Sequence, residues 1–359
     1  MSAARNLFSA DFAEARAKFL AAAKTAGARL ESFDNPARGP QGLALSTEVA
    51  ALGPADAAAV LVAVSGTHGV EGFCGSAAQV GWLRRHAPLP PGVGVLLIHA
   101  LNPYGFAWLR RVNEDNVDVN RNFIDHGKVH PENPLYDEVA DAMLPATWND
   151  AAVAALDGAL RGLVQRHGRG ADLKAGSGQY RHAKGLFYGG TEPVWSNRVL
   201  NVITRQYLAG VRHVAYIDFH TGLGPYGHGE AICYHAPGTP AYAAAARWYG
   251  SGLTSPHAGT AAAPVNSGKT GNGLMAQLPR ALVSCVSLEF GTYPGSRVLA
   301  AIAGDGWLHA YGELNSPKGE ALKKEIRAAF YPDQDDWKDL VAARSAEILG
   351  QALKGLAGG

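Results

Sequence analysis

Short apolar runs alternate with longer amphipathic stretches along most of the chain. Residues 59–65, 93–101 and 281–290 are continuous and rich in β-branched side chains, which is typical of strands buried on both faces. Two less apolar strands are predicted at 211–219 and 230–235. Because strands that alternate with helices usually form a sheet covered by helices, we predict an α/β fold. The expected architecture is a three-layer sandwich with a mixed, largely parallel central sheet.

Helical periodicity occupies much of the chain between these strands. A stretch at 168–190, rich in glycine and basic residues, is instead predicted to be a long surface loop. No repeat or low-complexity linker divides the chain, so a single domain is expected over residues 1–359. The predicted helices cover 12–26, 71–85, most of 136–167, 195–208 and much of the chain after residue 290.

Composition narrows the classes of function. The chain is 47% hydrophobic and 18% charged, as in globular proteins, and its net charge of +1 leaves no basic excess for nucleic acid. No segment is apolar for long enough to cross a membrane, and the N-terminus lacks the pattern of a secretory signal. The three cysteines are too scattered for a disulfide framework, so a cytoplasmic protein without nucleic-acid or membrane partners is expected.

Polar residues follow the predicted strands. In sheets of this type the active site lies beyond the carboxyl ends of the parallel strands, so these residues are expected to meet there. They are His68 and Glu71 after the first strand, Asn102 after the second, Asp218 and His220 on the third, and Glu289 on the last.

A metal site is predicted from His68, Glu71 and His220. His68 and Glu71 are three residues apart where a loop enters a helix, so imidazole and carboxylate can reach one ion. Two histidines and one glutamate leave a fourth tetrahedral position open, which is typical of catalytic zinc and predicts one Zn²⁺ per chain. Such an ion activates water and polarises a carbonyl. Because a single His-x-x-Glu is frequent by chance, the prediction depends on the joint placement of all three residues.

Further polar residues fit hydrolysis. Asp218 is two residues before His220, hence on the same face of a strand, where it can accept a hydrogen bond from a metal ligand. Glu289 ends an apolar run, and burial there raises a carboxyl pKa towards the range of a general base. Unless they form a solvated face, the arginines of one polar segment suit a carboxylate or an oxyanion: Arg110, Arg111 and Arg121, with Asn120 beside the last.

Together these residues resemble the zinc carboxypeptidase superfamily over roughly residues 60–292. Its Asp-x-Asn-Arg-Asn-Phe signature occurs at 118–123. The resemblance implies a carboxypeptidase A-like fold and a role for each matching residue. These roles are zinc binding by His68, Glu71 and His220, a grip on the substrate carboxylate by Asn120 and Arg121, proton transfer by Glu289, and support of the carbonyl oxyanion by Arg111 or, alternatively, Arg110.

Within the superfamily, the chain resembles most an uncharacterised bacterial branch, a domain of unknown function. Residues 102–123, 185–190 and 219–227 carry that resemblance. The run 218–221 is also similar to the succinylglutamate desuccinylase and aspartoacylase branch, which cleaves N-acyl amino acids. The mobile tyrosine that closes over carboxypeptidase substrates has no motif here, and the candidates for it are Tyr226, Tyr249 and Tyr293.

The sequence therefore predicts a zinc hydrolase of carboxypeptidase type, which cleaves an amide next to a free carboxylate. Its substrate is a small peptide or, alternatively, an N-acyl amino acid. A non-catalytic carboxylate-binding protein is a second alternative. A serine or cysteine hydrolase is a third, although no Gly-x-Ser-x-Gly surrounds Ser65, and only Cys74 lies near the site. Residues 266–271 resemble the end of a phosphate-binding loop, but Ala263 replaces its first glycine. The oligomeric state is left open.

Overall fold

A single sheet of eight strands organises the computed structural model, which describes residues 3–85 and 87–358. The strand order is β1-β2-β4-β3-β5-β8-β6-β7. The strands are β1 Arg29–Arg38, β2 Ala44–Leu52, β3 Ala59–Val64, β4 Val93–His99, β5 His213–Tyr226, β6 Gly229–Cys233, β7 Leu253–Thr254 and β8 Leu282–Gly291.

Helices occupy most of the remaining described chain. They are α1 Phe12–Thr25, α2 Gly72–Arg85, α3 Pro103–Ala107, α4 Pro134–Asp137, α5 Ala140–Met143, α6 Asp150–His167, α7 Ala171–Ala175, α8 Trp195–Tyr207, α9 Pro240–Tyr249, α10 Thr270–Gln277, α11 Gly295–Tyr311, α12 Pro317–Phe330 and α13 Asp335–Ala357. Within residues 3–85 and 87–358, none of these helices combines the length and apolar character that crossing a membrane requires.

The predicted three-layer α/β sandwich is confirmed. The four central strands β4, β3, β5 and β8 are parallel, and antiparallel pairings join β2 and β6 to them. Side chains alternate along β3, so that Leu61 packs with α1, α2, α9 and α13 on one face. Val62 packs with α8 and α10 on the other face. A third apolar cluster from α4–α7, α11 and α12 lies beside the carboxyl ends of the parallel strands.

Strands β1 and β2 were not predicted from the sequence. They form an antiparallel hairpin that extends the sheet beyond β4. Strand β1 is the edge strand, largely exposed and with Pro36 in it, and a strand that pairs on one side only is less constrained in sequence. Strand β2 pairs with both β1 and β4 and is buried, but Ser46, Thr47 and Glu48 interrupt its apolar pattern.

The stretch 168–190 is not the surface loop that its composition predicts. It begins with the short helix α7, and its later residues Leu186, Phe187 and Tyr188 are buried. Backbone bonds hold it in place, since the Asp118 N–H donates to the Tyr188 carbonyl at 2.7 Å. Gln179 adds side-chain hydrogen bonds to the carbonyls of His182 and Leu186. The later glycines, at 178, 185, 189 and 190, are closely packed here, whereas Gly168 and Gly170 have open space around them.

The predicted helix over 136–167 is interrupted. Helices α4 and α5 are each a single turn, and α6 starts afresh where the Asn149 side chain accepts a hydrogen bond from the Ala152 N–H. Asparagine is a favoured residue at this capping position, so a new helix start is encoded there. The other predicted helices before residue 209 agree with the structure to within a residue or two at each end.

Candidate metal centre and catalytic cavity

His68 and Glu71 lie on a short turn between β3 and α2. Gly69 makes that turn fit, because a Cβ at this position would lie 1.9 Å from the Gly105 carbonyl carbon. The N–H groups of Gly69 and Val70 also donate to the carbonyls of Arg111 and Arg110, at 3.2 and 2.8 Å. The turn is thereby pinned to the chain segment that carries the arginines.

His220 reaches the same point from β5. Its Nδ1 lies 3.2 Å from His68 Nδ1 and 2.9 Å from one oxygen of Glu71, whose other oxygen lies 2.9 Å from His68 Nδ1. All three side chains are buried. Two nitrogens bound to one tetrahedral zinc at about 2.0–2.1 Å would be roughly 3.3 Å apart. The arrangement of these predicted ligands therefore fits a zinc ion.

The outer nitrogens of both histidines face carboxylates. His68 Nε2 lies 3.0 Å from Asp118 Oδ1, and His220 Nε2 lies 3.1 Å from Asp218 Oδ2. Asp218 is fixed in turn by the hydroxyls of Thr67 and Thr270, which donate to it at 2.8 and 2.9 Å. The hydrogen bond with Asp118 orients the His68 ring and increases its basicity, whereas Asp218 makes no hydrogen bond with His220 Nε2 and acts on it through its charge. Asp218 was predicted to make such a contact, whereas Asp118 was identified only as part of the signature at 118–123.

Electrostatics in this cluster suit a cation. Burial alone raises the pKa of Glu71, but His68 and His220 outweigh it and hold that pKa below its usual range. For His220, burial lowers the pKa, but Asp218 and Glu71 outweigh this effect and raise that pKa to about 10. A metal ion must therefore displace a proton from His220, and its uptake should increase with pH.

Glu289 lies directly opposite His220, because parallel strands β5 and β8 pair in that register. Its side chain is buried, and Oε1 accepts a hydrogen bond from the Leu223 N–H at 3.0 Å. Burial, with a further contribution from Glu71, raises its pKa to about 7. A carboxylate with such a pKa exchanges protons readily at neutral pH, as a general base must.

The two neighbouring arginines point in different directions. Arg111 reaches the predicted metal ligands, where its Nε donates to Asp118 at 3.0 Å and its Nη1 donates to Glu71 at 3.3 Å. Arg110 instead donates to Asp305 and Asn116, away from the cavity. Of the two alternatives for an oxyanion donor, only Arg111 lines the cavity described below.

Asn120 and Arg121 lie on one turn at 119–121. The Asn120 amide oxygen accepts a hydrogen bond from the Thr270 N–H at 3.1 Å, so its NH₂ group is the part left for a ligand. Arg121 is 4% exposed and donates to the backbone carbonyls of Asn120 and Gly176 and to the side-chain amide oxygen of Asn266, all of them neutral acceptors. Within residues 3–85 and 87–358, no carboxylate forms an ion pair with this buried guanidinium.

The predicted metal ligands, Glu289, Arg111, Asn120 and Arg121 line one cavity of about 560 Å³. Two further cations line it, Lys269 and Arg161, and Arg161 pairs with Asp157. Apolar side chains make up much of the remaining lining, among them Met143, Leu160, Val164, Phe187, Val298, Ile302 and Phe330. Lys269 and Tyr234 were not predicted from the sequence. The nearest signal in the sequence was the resemblance of residues 266–271, which include Lys269, to the end of a phosphate-binding loop.

Other sequence expectations find no place in this cavity. Asn102 does not approach the metal ligands, because its side chain accepts a hydrogen bond from the Gly105 N–H and starts α3. Cys74 is buried, and burial raises the pKa of its thiol well above the usual range, which disfavours the thiolate that a cysteine hydrolase needs. None of the candidate tyrosines, Tyr226, Tyr249 and Tyr293, lines it.

The fold and the cavity define an α/β protein with a buried His/Glu/His set at the carboxyl edge of its parallel strands. The chain belongs to DUF2817, a family of proteins of unknown function whose profile matches residues 8–344. This confirms the predicted placement in an uncharacterised branch. No protein with a curated description matches the sequence.

Several solved structures are similar in fold. They include a succinylglutamate desuccinylase from Chromobacterium violaceum, with 16% identity over 87% of this chain and 72% of that chain, and a TM-score of 0.35. The murein-tripeptide amidase MpaA from Escherichia coli O157 has 19% identity, coverages of 79% and 90%, and a TM-score of 0.34. A glutaminyl cyclase from Fimbriiglobus ruber has 12% identity, coverages of 98% and 91%, and a TM-score of 0.42. These likenesses are distant, so the function is argued below from the cavity alone.

Proposed function

We propose that this chain is a zinc-dependent hydrolase that cleaves an amide bond next to a free carboxylate. One observation carries the proposal. A single cavity is lined by a buried His/Glu/His set, by the buried carboxylate Glu289 and by Arg121, a buried cation that has no acidic partner in the part of the chain that the structure describes. Metal ligands, a base and a carboxylate anchor in one cavity are the parts that such a reaction requires.

Each residue has a role in this mechanism. His68, Glu71 and His220 would hold the zinc ion, which would supply a water of lowered pKa and a Lewis acid for the substrate carbonyl. Glu289 accepts a proton from the attacking water and passes it to the leaving amine, for which its pKa of about 7 is suited. Arg111 supports the carbonyl oxygen as negative charge develops there.

Substrate binding depends on the other end of the cavity. Arg121 donates to the substrate carboxylate, and the free NH₂ group of Asn120 adds a second donor. A small peptide with a free C-terminus is the favoured substrate because this pair is intact. An N-acyl amino acid is the second candidate, favoured by one observation: no candidate for the mobile tyrosine of the exopeptidases lines the cavity.

Metal content tests the proposal most directly. Elemental analysis of the purified chain should find about one zinc per molecule, and His68→Ala should lose it. The exposed His228 offers a control, because His228→Ala should keep the metal. If neither the native chain nor this control holds metal after zinc is supplied, the non-catalytic carboxylate-binding alternative replaces the proposal.

A further inference from the structure

Lys269 lies in the same cavity, just before α10, and the mechanism above does not use it. The residue is only 8% exposed. Its ammonium group lies 3.6 Å from the centre of the Tyr234 ring. Across residues 3–85 and 87–358, it makes no hydrogen bond and no ion pair. The ammonium group has no acceptor in the described part of the protein and is open to the cavity, so an anionic ligand group could pair with it through a charge-assisted hydrogen bond.

The backbone on both sides of Lys269 is fixed against the turn that carries Arg121. The Gly268 carbonyl accepts from the Phe123 N–H at 3.0 Å, and the Thr270 N–H donates to Asn120. Gly268 has a φ of +74°, and a Cβ there would lie 2.2 Å from the Arg121 carbonyl oxygen, so only glycine permits this approach. These contacts fix the backbone of Lys269 beside the turn that carries Arg121, and the Tyr234 ring holds its ammonium group in the cavity.

Two buried cations thus share one end of the cavity. Burial lowers the pKa of Lys269 to about 7, and the neighbouring charge of Arg121 adds to this effect. The carboxylates of Asp218, Glu289 and Asp118 act in the opposite direction, but none of them reaches ion-pair distance of either cation. By contrast the other cations of the cavity are paired: Arg111 contacts two carboxylates, and Arg161 pairs with Asp157. An anionic ligand group beside Lys269 would stabilise the charged form of its amine, and a second anionic group would pair with Arg121.

We infer that the residue bound at this end is an acidic amino acid, whose α-carboxylate pairs with Arg121 and Asn120 and whose side-chain carboxylate pairs with Lys269. The inference rests on the proposed function only for calling this residue the carboxylate-bearing part of the substrate. It makes Lys269 a specificity-determining residue, with Tyr234 as the ring that holds its side chain in place. The alternative is that Arg121 and Lys269 share a single carboxylate, in which case the side chain of the bound residue need not be acidic.

Binding of free amino acids tests the inference without turnover. Isothermal titration calorimetry with the metal-loaded full chain would compare L-glutamate with L-glutamine and L-aspartate with L-asparagine, since each pair differs in one charge. The native chain should bind at least one acidic member about tenfold or more tighter than its amide. Lys269→Met should reduce that preference to less than about threefold, whereas Lys269→Arg should keep most of it. Lys184→Met is the matched control, because Lys184 also lies over an aromatic ring, Tyr311, but outside the cavity.

The results that contradict the inference are distinct from those that support it. Equal binding of acid and amide by the native chain, no binding of either acidic amino acid, or a preference that survives in Lys269→Met would overturn the inference. If Lys269→Met does not fold, the native comparison and Lys269→Gln decide in its place. Failure of the proposed function looks different: it shows as absent zinc and absent hydrolysis, and neither result depends on Lys269.

Discussion

Arg110 and Arg111 are neighbours in the chain but belong to two different buried charge clusters. The cavity cluster comprises His68, Glu71, Arg111, Asp118, Asp218, His220 and Glu289. The α11 cluster comprises Arg110, Asp305, His309 and Lys323. In the α11 cluster Asp305 pairs with both cations, and no member lines the cavity. In the cavity cluster the side chains converge on a space that no protein atom fills. Buried charge alone therefore does not mark a site, whereas convergence on open space does.

The largest effect is expected from the base of the cavity cluster. Glu289→Gln should lower kcat by about 10²–10⁴-fold, because an amide cannot accept the proton of the attacking water. It should leave zinc content unchanged, since Glu289 is not among the ligands. Steady-state hydrolysis of a blocked dipeptide, with elemental analysis of the same sample, measures both quantities.

Glu230 provides the matched control for that variant. It is also buried, and it pairs with Glu289 across β6 and β8, but its carboxylate holds Thr254 and the Ala262 N–H outside the cavity. Glu230→Gln should keep most of the turnover. Full activity in Glu289→Gln would show that Glu289 is not the base, and the cavity cluster would then lack the catalytic role that distinguishes it from the α11 cluster.

The α11 cluster should respond in stability instead. Asp305→Ala leaves the buried Arg110 and Lys323 without their anion, so the free energy of unfolding should fall by about 3–5 kcal/mol. Zinc content per folded chain should not change. Denaturant unfolding, with Glu325→Ala as the control for an exposed pair worth about 1 kcal/mol or less, makes the measurement. A loss of zinc in Asp305→Ala would join the two clusters into one functional unit.

The contact between His68 and Asp118 gives a smaller effect within the cavity cluster. Asp118→Asn replaces the carboxylate that faces His68 Nε2, and zinc affinity should weaken by about 10–100-fold. Competition with a chromophoric chelator would report the change. The exposed Asp125→Asn serves as its control and should leave zinc affinity as it is. Unchanged affinity in Asp118→Asn would show that the ring is oriented by its other contacts alone.

The smallest effect is a pH dependence of stability in the zinc-free chain. Glu289 titrates near 4.5 when unfolded and at about 7 when folded, so the folded state binds the extra proton. Stability should therefore fall as pH rises from about 4.5 to 7, and Glu289→Gln should remove that loss. At pH 8 the variant should be more stable than the native chain by on the order of 1–3 kcal/mol. At pH 4 this difference should vanish. A constant difference at both pH values would mean that burial does not shift this carboxyl group.

The central fold could be predicted because its strands are buried on both faces and must be apolar throughout. The hairpin of β1 and β2 could not be predicted, since β1 is largely exposed and β2 buries Ser46, Thr47 and Glu48 where an apolar run would be expected. The predicted metal ligands follow the same logic as the central strands: they occur where an apolar run stops, and the strand-end rule brings such positions together.

Lys269 and Asp118 show where that logic stops. Asp118 faces His68 from a loop of irregular backbone, for which no periodicity gives a direction. Lys269 lies beside Arg121 only because Gly268 allows two distant segments to touch. Contacts between loops depend on the complete packing of the chain, so a local pattern in sequence does not contain them. Asn102 is the converse case, a residue at the right strand end whose side chain is used by a helix start.

The pairing of β5 with β8 also sets an order of assembly. All three metal ligands have been synthesised once the ribosome passes His220, whereas Glu289 arrives only with the last strand of the parallel set. A slip of one residue as β8 docks would put Leu288 or Phe290 opposite His220 and turn Glu289 to the far face of the sheet. Under the proposed mechanism, the base is thus the last of these groups to be placed, and its position depends on a single strand finding its register.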